Sequence, residues 1–565
     1  MSATINGATL EDRAINGIRT ALIAAWLTLV PGIAAASDAR FGMFSYRGVE
    51  AGPATPRGVY RNPIISGFYP DPSIIRVGAY FYLANSTFSW FPGIPIWRSR
   101  DLVHWHRLGN AIDRPAQLDF GKLGLSRGIF APGLAWHDGR FYIVGTCIEC
   151  GGNFVISAKD AAGPWTNPAW LRDVEGIDPS LFFDDDGSAW LVNNRAPAGV
   201  PRYEGHRAIW LQRFDAKALH TFGPARMIVD GGIDPATKPV WIEGPHLFKR
   251  AGHYYLSAAE GGTSVNHSQV ILRADSLSGK FEPAPAGVNP ILTQRDLDPG
   301  RRSPMTSAGH ADMVELANGS WWAVFLATRP YAGNLYNIGR ETSLLPVTWH
   351  DGWPNILPRG KPIPQFELLP LLPHDTAPPT TGTFGFDDQF ERKYLDPEWM
   401  AIRGPAPAHP SGGTLTLTPG TSLGGHGRPA FVGRRQLQHD ATVTTTLAFN
   451  PAEGERAGIA AIQSDDALLT FALVRHHGTI GLEVARRDTA GDPLAGTMIA
   501  SMKLPSLRGP IGLRVHIMAG RAEFAVALGK TWHVIASDVD ATNLSTERAG
   551  GFVGTVIGLF ADHAP

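Results

Sequence analysis

The chain has 565 residues and a formal net charge of −1, with 44% hydrophobic and 10% aromatic residues. A nearly neutral chain gives no reason to expect nucleic acid or an anionic membrane as its partner, and this length exceeds one ordinary domain. Its 64 glycines and 45 prolines are typical of a turn-rich, all-β protein.

The first segment predicts export. Residues 20–30 form an uncharged apolar run, which follows Arg13 and Arg19 and precedes Ala34-Ala35-Ala36. This order is typical of a signal peptide, here residues 1–36, with cleavage after Ala36. The run is short for a membrane span of about 20 residues, although an N-terminal anchor stays an alternative. We therefore expect a periplasmic or secreted protein with no membrane partner after cleavage.

Residues 55–372 contain five copies of one pattern, in which a turn ending in glycine precedes an aromatic-rich strand. Such a turn followed by a strand is typical of a β-hairpin. The copies recur about every 50 to 65 residues, a period that suits a repeated four-stranded unit. The sequence therefore predicts an all-β fold with a five-bladed β-propeller over this range. The glycines are Gly78, Gly139, Gly187, Gly252 and Gly319.

A constant offset from these glycines selects candidate site residues. Phe130, Asp178, Glu243 and His310 each lie nine residues before the glycine of their copy, and Asp71 lies seven before its own. About eight residues before a hairpin turn, the preceding strand begins. Because a propeller arranges its innermost strands around one channel, we expect these side chains to meet at one end of it. Three carboxylates at one place are typical of a glycosidase.

The two cysteines, Cys147 and Cys150, are spaced C-x-x-C. Two thiols cannot complete a structural zinc site alone. In an exported protein they are either a local disulfide or two inert thiols, and the spacing leaves both open.

The last third of the chain predicts a second domain. Residues 373–383 are rich in proline and threonine and predict a linker. In residues 384–565, short strand-like segments alternate with turns, which indicates a β-sandwich. No pattern indicates whether this domain binds polysaccharide or which oligomeric state the protein has.

The stretch Asn-Pro-Ile-Ile-Ser-Gly-Phe-Tyr-Pro-Asp-Pro-Ser, residues 62–73, resembles the opening of glycoside hydrolase family 43, the β-xylosidase and α-L-arabinofuranosidase group. Residues 384–565 are similar to the C-terminal β-sandwich of many β-xylosidases in that family. The resemblance implies a five-bladed propeller and an inverting mechanism. It continues, in order, through residues 86–93, 99–105, 243–246 and 339–342.

The resemblance also implies roles for the three carboxylates. Asp71 would be the general base that activates water, Glu243 the general acid, and Asp178 would orient Glu243 and keep its pKa high. The chemistry agrees, because an inverting site needs one ionised and one protonated carboxyl about 6.5–9.5 Å apart. A neighbouring negative charge raises the pKa of the acid.

Four further residues are candidates for substrate binding. The resemblance assigns Arg340 to sugar hydroxyls, with a surface pair to Glu341 as the alternative. Phe88 is either a pocket wall or blade core, and Phe130 stands where the family often has tryptophan. His310 could hold a channel water, help hold a calcium ion or be structural, and a structural or water-mediated role is the one expected. Calcium prefers oxygen ligands, so we predict no metal ligand and no required cofactor, and calcium stays unsupported.

The predicted function is that of an inverting exo-glycoside hydrolase, a xylan 1,4-β-xylosidase that releases xylose from xylo-oligosaccharides. An α-L-arabinofuranosidase would use the same carboxylates, so the motifs do not separate xylose from arabinose or define the linkage. A carbohydrate-binding propeller without catalysis is the alternative of another class. A retaining glycosidase would instead place its carboxyls about 5–5.5 Å apart.

Overall fold

The computed structural model describes residues 37–504, 506–507 and 509–564. The predicted signal peptide, residues 1–36, lies outside the described residues. Within those residues, no helix is both long enough and apolar enough to cross a membrane. Almost all regular structure in this described part of the chain is β, in forty strands named β1 to β40 in chain order. Two strands precede the propeller, β1 (Ala39–Val49) and β2 (Val59–Arg61).

Blades 1 and 2 follow. Blade 1 is the four-stranded sheet β3-β4-β6-β7, and blade 2 is built around β10 and β11. The bounds of β3 to β7 are Ser73–Val77, Tyr80–Ala84, Trp90–Phe91, Gly93–Ser99 and His106–Ile112. Those of β8 to β12 are Gly128–Ile129, Gly133–His137, Arg140–Ile148, Gly152–Ala158 and Ala169–Trp170.

Blades 3 to 5 are the sheets β13-β14-β15-β16, β17-β18-β19-β20 with β21, and β22-β23-β24-β25. The bounds of β13 to β16 are Ile177–Phe183, Ala189–Arg195, Ala208–Asp215 and His220–Asp230. Those of β17 to β21 are Ile242–Arg250, His253–Glu260, Ser268–Ala274, Glu282–Pro283 and Leu292–Thr293. Those of β22 to β25 are Thr306–Glu315, Trp321–Thr328, Glu341–His350 and Trp353–Asn355.

The five sheets close into a ring. Strands β3, β9, β13, β17 and β22 contact one another in that order, and β22 contacts β3 again. All five also line one cavity of about 530 Å³. They are therefore the innermost strands of a β-propeller around a central channel. Strand β26 (Phe366–Leu368) pairs with β2, which joins the end of the propeller region to its start.

The remaining strands form a β-sandwich, except β28, which pairs with β5. The bounds of β27 to β33 are Phe384–Asp388, Ala401–Ile402, Ala408–Ser411, Thr414–Leu417, Ala430–Arg435, Asp440–Ala448 and Glu455–Ile462. Those of β34 to β40 are Leu468–His476, Thr479–Arg487, Thr497–Lys503, Ile511–Met518, Arg521–Leu528, Thr531–Asp540 and Val556–His563. A four-residue helix, α1 (Thr546–Ala549), lies between β39 and β40, and short 3-10 turns occupy Pro235–Thr237 and Thr542–Leu544.

The sandwich has an eight-stranded and a six-stranded sheet. The first contains β29-β30-β1-β32-β37-β38-β39 with β27 beside β1, and the second is β31-β40-β33-β34-β35-β36. Strand β32 alternates buried and more exposed residues, as expected when one face is covered. Strand β33 is buried at every position. Its second face packs against Phe68, Phe88 and Trp90 of the propeller region, so the six-stranded sheet lies between the other sheet and the propeller.

Strand β1 contributes to the sandwich although it precedes the propeller in sequence. It pairs with β30 and β32, and a bulge interrupts its ladder between Phe41 and Phe44. The hydroxyl of Tyr46 donates to the Gln438 side chain at 2.9 Å. The sandwich therefore uses residues outside the range 384–565 that the sequence predicts for it. Elsewhere, Cys147 and Cys150 form a disulfide at the end of β10.

Candidate active site

One end of the central channel brings the offset residues together. Asp71 lies just before β3, Asp178 and Glu243 are the second residues of β13 and β17, and His310 lies in β22. Asp71 contacts Arg340 at 3.1 Å and His310 at 3.6 Å. The N–H of Gly244, beside Glu243, donates to Asp178 at 3.2 Å. All three carboxylates are buried.

Irregular backbone aims these side chains. The strand ladders shift register between Ile177 and Ser180 and between Glu243 and His246, and they shift again around His310. Such bulges re-aim side chains and are frequent next to active sites. Asp71, Asp178 and His310 have φ values of 52°, 51° and 50°, a left-handed region that non-glycine residues rarely occupy. The propeller therefore holds strained backbone at this end of its channel.

Gly244 provides the space in which His310 packs. It has a φ of 54°. A Cβ at this position would lie 2.5 Å from Nε2 of His310. A side chain would therefore both clash with the imidazole and strain the backbone. His310 can lie next to the Glu243 segment because residue 244 is glycine.

Asp71 has an environment that favours its ionised form. One oxygen accepts a hydrogen bond from Arg340 and faces His310, and the other accepts from the Ser86 hydroxyl. Burial by itself would raise the pKa of Asp71. Arg340, His310 and Ser86 together outweigh burial and hold that pKa below its ordinary value. Asp71 is therefore a carboxylate at neutral pH.

Glu243 and Asp178 have the opposite tendency. Burial raises the pKa of Glu243 to about 7, with a further contribution from the charge of Asp71. Burial is also the largest cause that raises the pKa of Asp178, and the charges of Glu243 and Asp71 raise it further. The sequence attributes the high pKa of Glu243 to Asp178. In the structure, burial is the largest cause and the charge of Asp71 adds to it. Asp178 and Glu243 are also a pair of buried carboxyls, and because a charge interaction is mutual, a charge on either one disfavours ionisation of the other.

Arg340 is buried at this end of the channel. Its guanidinium carbon lies 6.0 Å and 5.5 Å from the ring centres of Phe88 and Phe552. Glu341, the alternative partner in the sequence analysis, pairs instead with Arg329 at 2.6 Å. Within the described chain, Nε of Arg340 is buried and has no hydrogen-bond partner. One donor of this side chain therefore has no acceptor among the described residues.

Three phenylalanine rings form a wall beside Arg340. The ring centres of Phe88 and Phe130 are 5.6 Å apart, those of Phe88 and Phe552 are 5.9 Å apart, and those of Phe130 and Phe552 are 5.7 Å apart. Phe88 is fully buried and joins the core shared with the sandwich, whereas Phe130 and Phe552 are partly exposed. Phe88 therefore belongs both to the core and to the wall.

Phe552 is a residue that sequence reasoning missed. It lies in a loop of the sandwich, residues 550–554, and its N–H donates to Ser126 at 2.9 Å. A Cβ on Gly554 would lie 2.8 Å from the backbone nitrogen of Gly339, next to Arg340. Glycine at 554 thus allows the loop to approach the site closely. The run Gly-Gly-Phe-Val-Gly indicates a loop in the sequence, but nothing in it indicates contact with the propeller.

His267 is a second missed residue. It is buried, its Nδ1 lies 3.0 Å from the Ser307 carbonyl, and its ring lies against Gly309. Burial lowers the pKa of His267 to about 3 and that of His310 to about 4. Both imidazoles are therefore neutral at the pH where the carboxyls work.

A calcium ion beside His310 does not fit the described residues. Calcium takes about six to eight oxygen ligands, whereas Asp71, the carboxylate that His310 contacts, is already paired with Arg340. Elsewhere in the described chain, Asp101, His104 and His374 place possible ligand atoms within 4.8 Å of one another. Asp101 there accepts hydrogen bonds from His104 and from the N–H of Asp375, which joins residues 373–383 to blade 1. We assign no step to a metal.

Comparisons with known families agree with this architecture. Residues 60–354 match the model of glycosyl hydrolases family 43. Residues 387–564 match the model of the β-xylosidase C-terminal concanavalin A-like domain. The first match covers the propeller and all the site residues predicted from the sequence.

Individual relatives match nearly the whole chain. A xylosidase/arabinosidase of Butyrivibrio fibrisolvens is 37% identical, over 89% of this chain and 96% of the relative. A non-reducing end α-L-arabinofuranosidase, BoGH43B of Bacteroides ovatus, is 36% identical, over 89% of this chain and 91% of the relative. A crystal structure of a GH43_12 protein from a capybara gut metagenome has a TM-score of 0.85 and 35% identity, covering 93% of this chain and 99% of its own.

Proposed function

This chain belongs to glycosyl hydrolases family 43, and we propose that it is an inverting exo-glycosidase that releases xylose from the non-reducing ends of β-1,4-linked xylo-oligosaccharides. The observation that carries the proposal is the opposite pKa displacement of two buried carboxyls at one end of the channel. The pKa of Asp71 is lowered and that of Glu243 is raised to about 7. One base and one acid at the same pH are what an inverting site needs.

Asp71 and Glu243 divide the proton transfers between them. Asp71 accepts a proton from water as the water oxygen bonds to the anomeric carbon. Glu243 gives its proton to the glycosidic oxygen as the bond from that oxygen to the anomeric carbon breaks. Water attacks on the face opposite the leaving group, so the product has the inverted configuration. The Ser86 and Arg340 hydrogen bonds orient the Asp71 carboxylate for this task.

The other residues position these two groups. Asp178 accepts a hydrogen bond from the N–H of Gly244 and so holds the peptide that follows Glu243. The unpartnered Nε of Arg340 is suited to a sugar hydroxyl. His310 packs between Gly244 and Asp71 as a neutral ring, which supports a structural or water-mediated role.

The wall formed by Phe88, Phe130 and Phe552 supports exo action. Phe552 comes from the sandwich, so the pocket is closed on one side by a second domain. A closed side suits the end of a chain rather than its middle. The xylose assignment follows the names of the matching C-terminal domain and of the Butyrivibrio relative.

An α-L-arabinofuranosidase is the second candidate. The two relatives described above are named for arabinosidase activity, one of them together with xylosidase activity. Both activities need the same acid and base, so the carboxylates do not separate them. The glycone is decided by contacts of the sugar ring with groups such as Arg340 and the phenylalanine wall.

Export to the periplasm or the medium is part of the proposal. The Cys147–Cys150 disulfide supports it, because disulfides persist in oxidising compartments and are rare in the cytosol. Fractionation of expressing cells, followed by N-terminal sequencing, tests it. Cleaved protein beginning after Ala36 is the expected result, and full-length protein in the cytosol would contradict it.

The first experiment is hydrolysis of paired aryl β-D-xyloside and α-L-arabinofuranoside substrates by wild type and Glu243→Ala. The half-buried Glu523 of the sandwich surface provides a control variant, Glu523→Ala. Faster xyloside cleavage that is lost only in Glu243→Ala is expected, and NMR should detect α-xylose as the first product. A preference for the arabinoside would overturn the assignment of xylose as the glycone. Sugar binding without turnover of either substrate would favour a binding module.

A further inference from the structure

A second cavity, of about 610 Å³, lies where blade 1, residues 378–380 and the sandwich meet. None of the three site carboxylates lines it. We propose that this cavity is a second saccharide site that binds a neutral xylo-oligosaccharide without cleaving it. The identity of the sugar rests on the proposed function, whereas the presence of a site rests on the cavity. Its volume lies within the range of small-molecule sites, about 300–1,000 Å³.

An aromatic ring supplies an apolar surface for a sugar. Tyr394 is 71% exposed and lines the cavity. Phe386 lines it as well, but its ring stacks on Tyr46 at 5.1 Å and has the Arg434 guanidinium 4.2 Å from its centre, so Tyr394 is the ring that is open to a ligand. A pyranose has apolar C–H faces and polar edges, so it packs on a ring while its hydroxyls remain available for hydrogen bonds.

Polar groups without partners supply the complementary hydrogen bonds. Nη1 of Arg107 and Nε1 of Trp97 are buried donors that have no acceptor in the described part of the chain, and both residues line the cavity. Glu398 accepts from Tyr69 at 3.1 Å and from Arg434 at 3.4 Å through one oxygen. A buried donor without a partner costs about 1–3 kcal/mol. Neighbouring atoms cover both donors in this structure, so a sugar hydroxyl would relieve that cost once a covering side chain moves.

The charge of the lining favours a neutral ligand. Its charges are largely paired, Arg434 with Glu398, Arg392 with Asp396, and Arg47 from outside the lining with Asp387, so no excess of positive charge attracts phosphates or uronic acids. Hydroxyl groups both donate and accept, and therefore match a lining that contains both kinds of partner. The charged lining residues are Arg107, Arg392, Arg434, Asp387, Asp388, Glu391, Asp396 and Glu398.

The test is a calorimetric titration of full-length Glu243→Gln with xylotriose. We expect two binding events in this background, and the same two in Asp71→Asn as a second background. Adding Tyr394→Ala should weaken one event about tenfold, which corresponds to about 1.4 kcal/mol. Glu398→Gln, which keeps an acceptor oxygen, should weaken the same event less. Trp532→Ala is the matched control, because Trp532 is also an exposed sandwich aromatic beside a cation and should leave both events unchanged.

The outcomes separate this proposal from the proposed function. A single binding event that Tyr394→Ala leaves unchanged would overturn the second site. Two events with arabinotriose but one with xylotriose would overturn the identity of the sugar. Turnover of an aryl xyloside by wild type tests the function independently. If that turnover is absent while Tyr394→Ala still removes one xylotriose event, the second site stands and the function fails.

Discussion

The alkaline limb of the pH profile tests the assignment of Glu243 as the acid. Because burial raises the pKa of Glu243 to about 7, this group holds its proton below that pH and loses it above. We therefore expect kcat/KM for a xyloside with a poor leaving group to fall about tenfold per pH unit above pH 7. The pKa of Asp71 is lowered, so the acidic limb should lie below about pH 3.9.

Two substrates and two variants isolate the acid. A phenyl xyloside needs a proton on its leaving oxygen, whereas a dinitrophenyl xyloside leaves without one. Glu243→Gln should lose about 10²- to 10⁴-fold in kcat/KM on the phenyl substrate and much less on the dinitrophenyl substrate. Glu260→Gln is the matched control, because Glu260 is another buried glutamate with a raised pKa, held by the N–H of Ile233. The alkaline limb of kcat/KM in Glu260→Gln should match that of wild type.

Equal losses on the two substrates in Glu243→Gln would refute the reasoning, because an acid acts only where the leaving group needs its proton. Loss of the alkaline limb in Glu260→Gln would refute it as well. In wild type, the limb should be shallow or absent with the dinitrophenyl substrate, since its leaving step is independent of Glu243.

Three further variants probe the neighbours of Asp71 and Glu243. Asp178→Asn removes a carboxyl whose charge disfavours ionisation of Glu243, so the alkaline limb should move to lower pH; a limb that stays at pH 7 would show that burial and Asp71 alone hold the pKa of Glu243 high. Arg340→Ala removes the positive charge that does most to lower the pKa of Asp71. That pKa should therefore rise, and the acidic limb of kcat/KM should move to higher pH; an unmoved limb would contradict the ion pair between Arg340 and Asp71. Phe552→Ala removes the ring that the sandwich adds to the wall, so KM in steady-state assays should rise while kcat changes less; an unchanged KM would contradict a place for Phe552 in the pocket.

The sequence repeat predicts the site because a fixed number of residues before a hairpin turn corresponds to a fixed position along the preceding strand. The three carboxylates stand near the starts of innermost strands and His310 lies within one, so a fixed distance from the next turn leads to the same end of the channel. Asp71 lies seven residues before its glycine rather than nine. The structure explains part of this difference. One extra residue is bulged in the strands that carry Asp178 and Glu243, whereas the ladder of β3 is regular.

Features that depend on distant contacts could not be predicted in this way. Strand β1 has the composition of a strand, but nothing in it specifies partners about 370 to 410 residues away. The pair between Arg340 and Asp71 spans 269 residues and depends on closure of the propeller ring. Phe552 could be recognised as a loop residue, but its place in the pocket depends on how the sandwich packs on the propeller.

That packing makes the pocket a product of both domains. Strand β33 is buried on both faces, because one face meets the other sheet and the second meets Phe68, Phe88 and Trp90. Arg435 of the sandwich donates to the carbonyl of Phe68, three residues before Asp71. The same domain thus supports the segment that carries the base and supplies Phe552 to the wall. The sandwich is therefore structural support for the active site, and its contacts with the propeller act on both the base and the walls of the pocket.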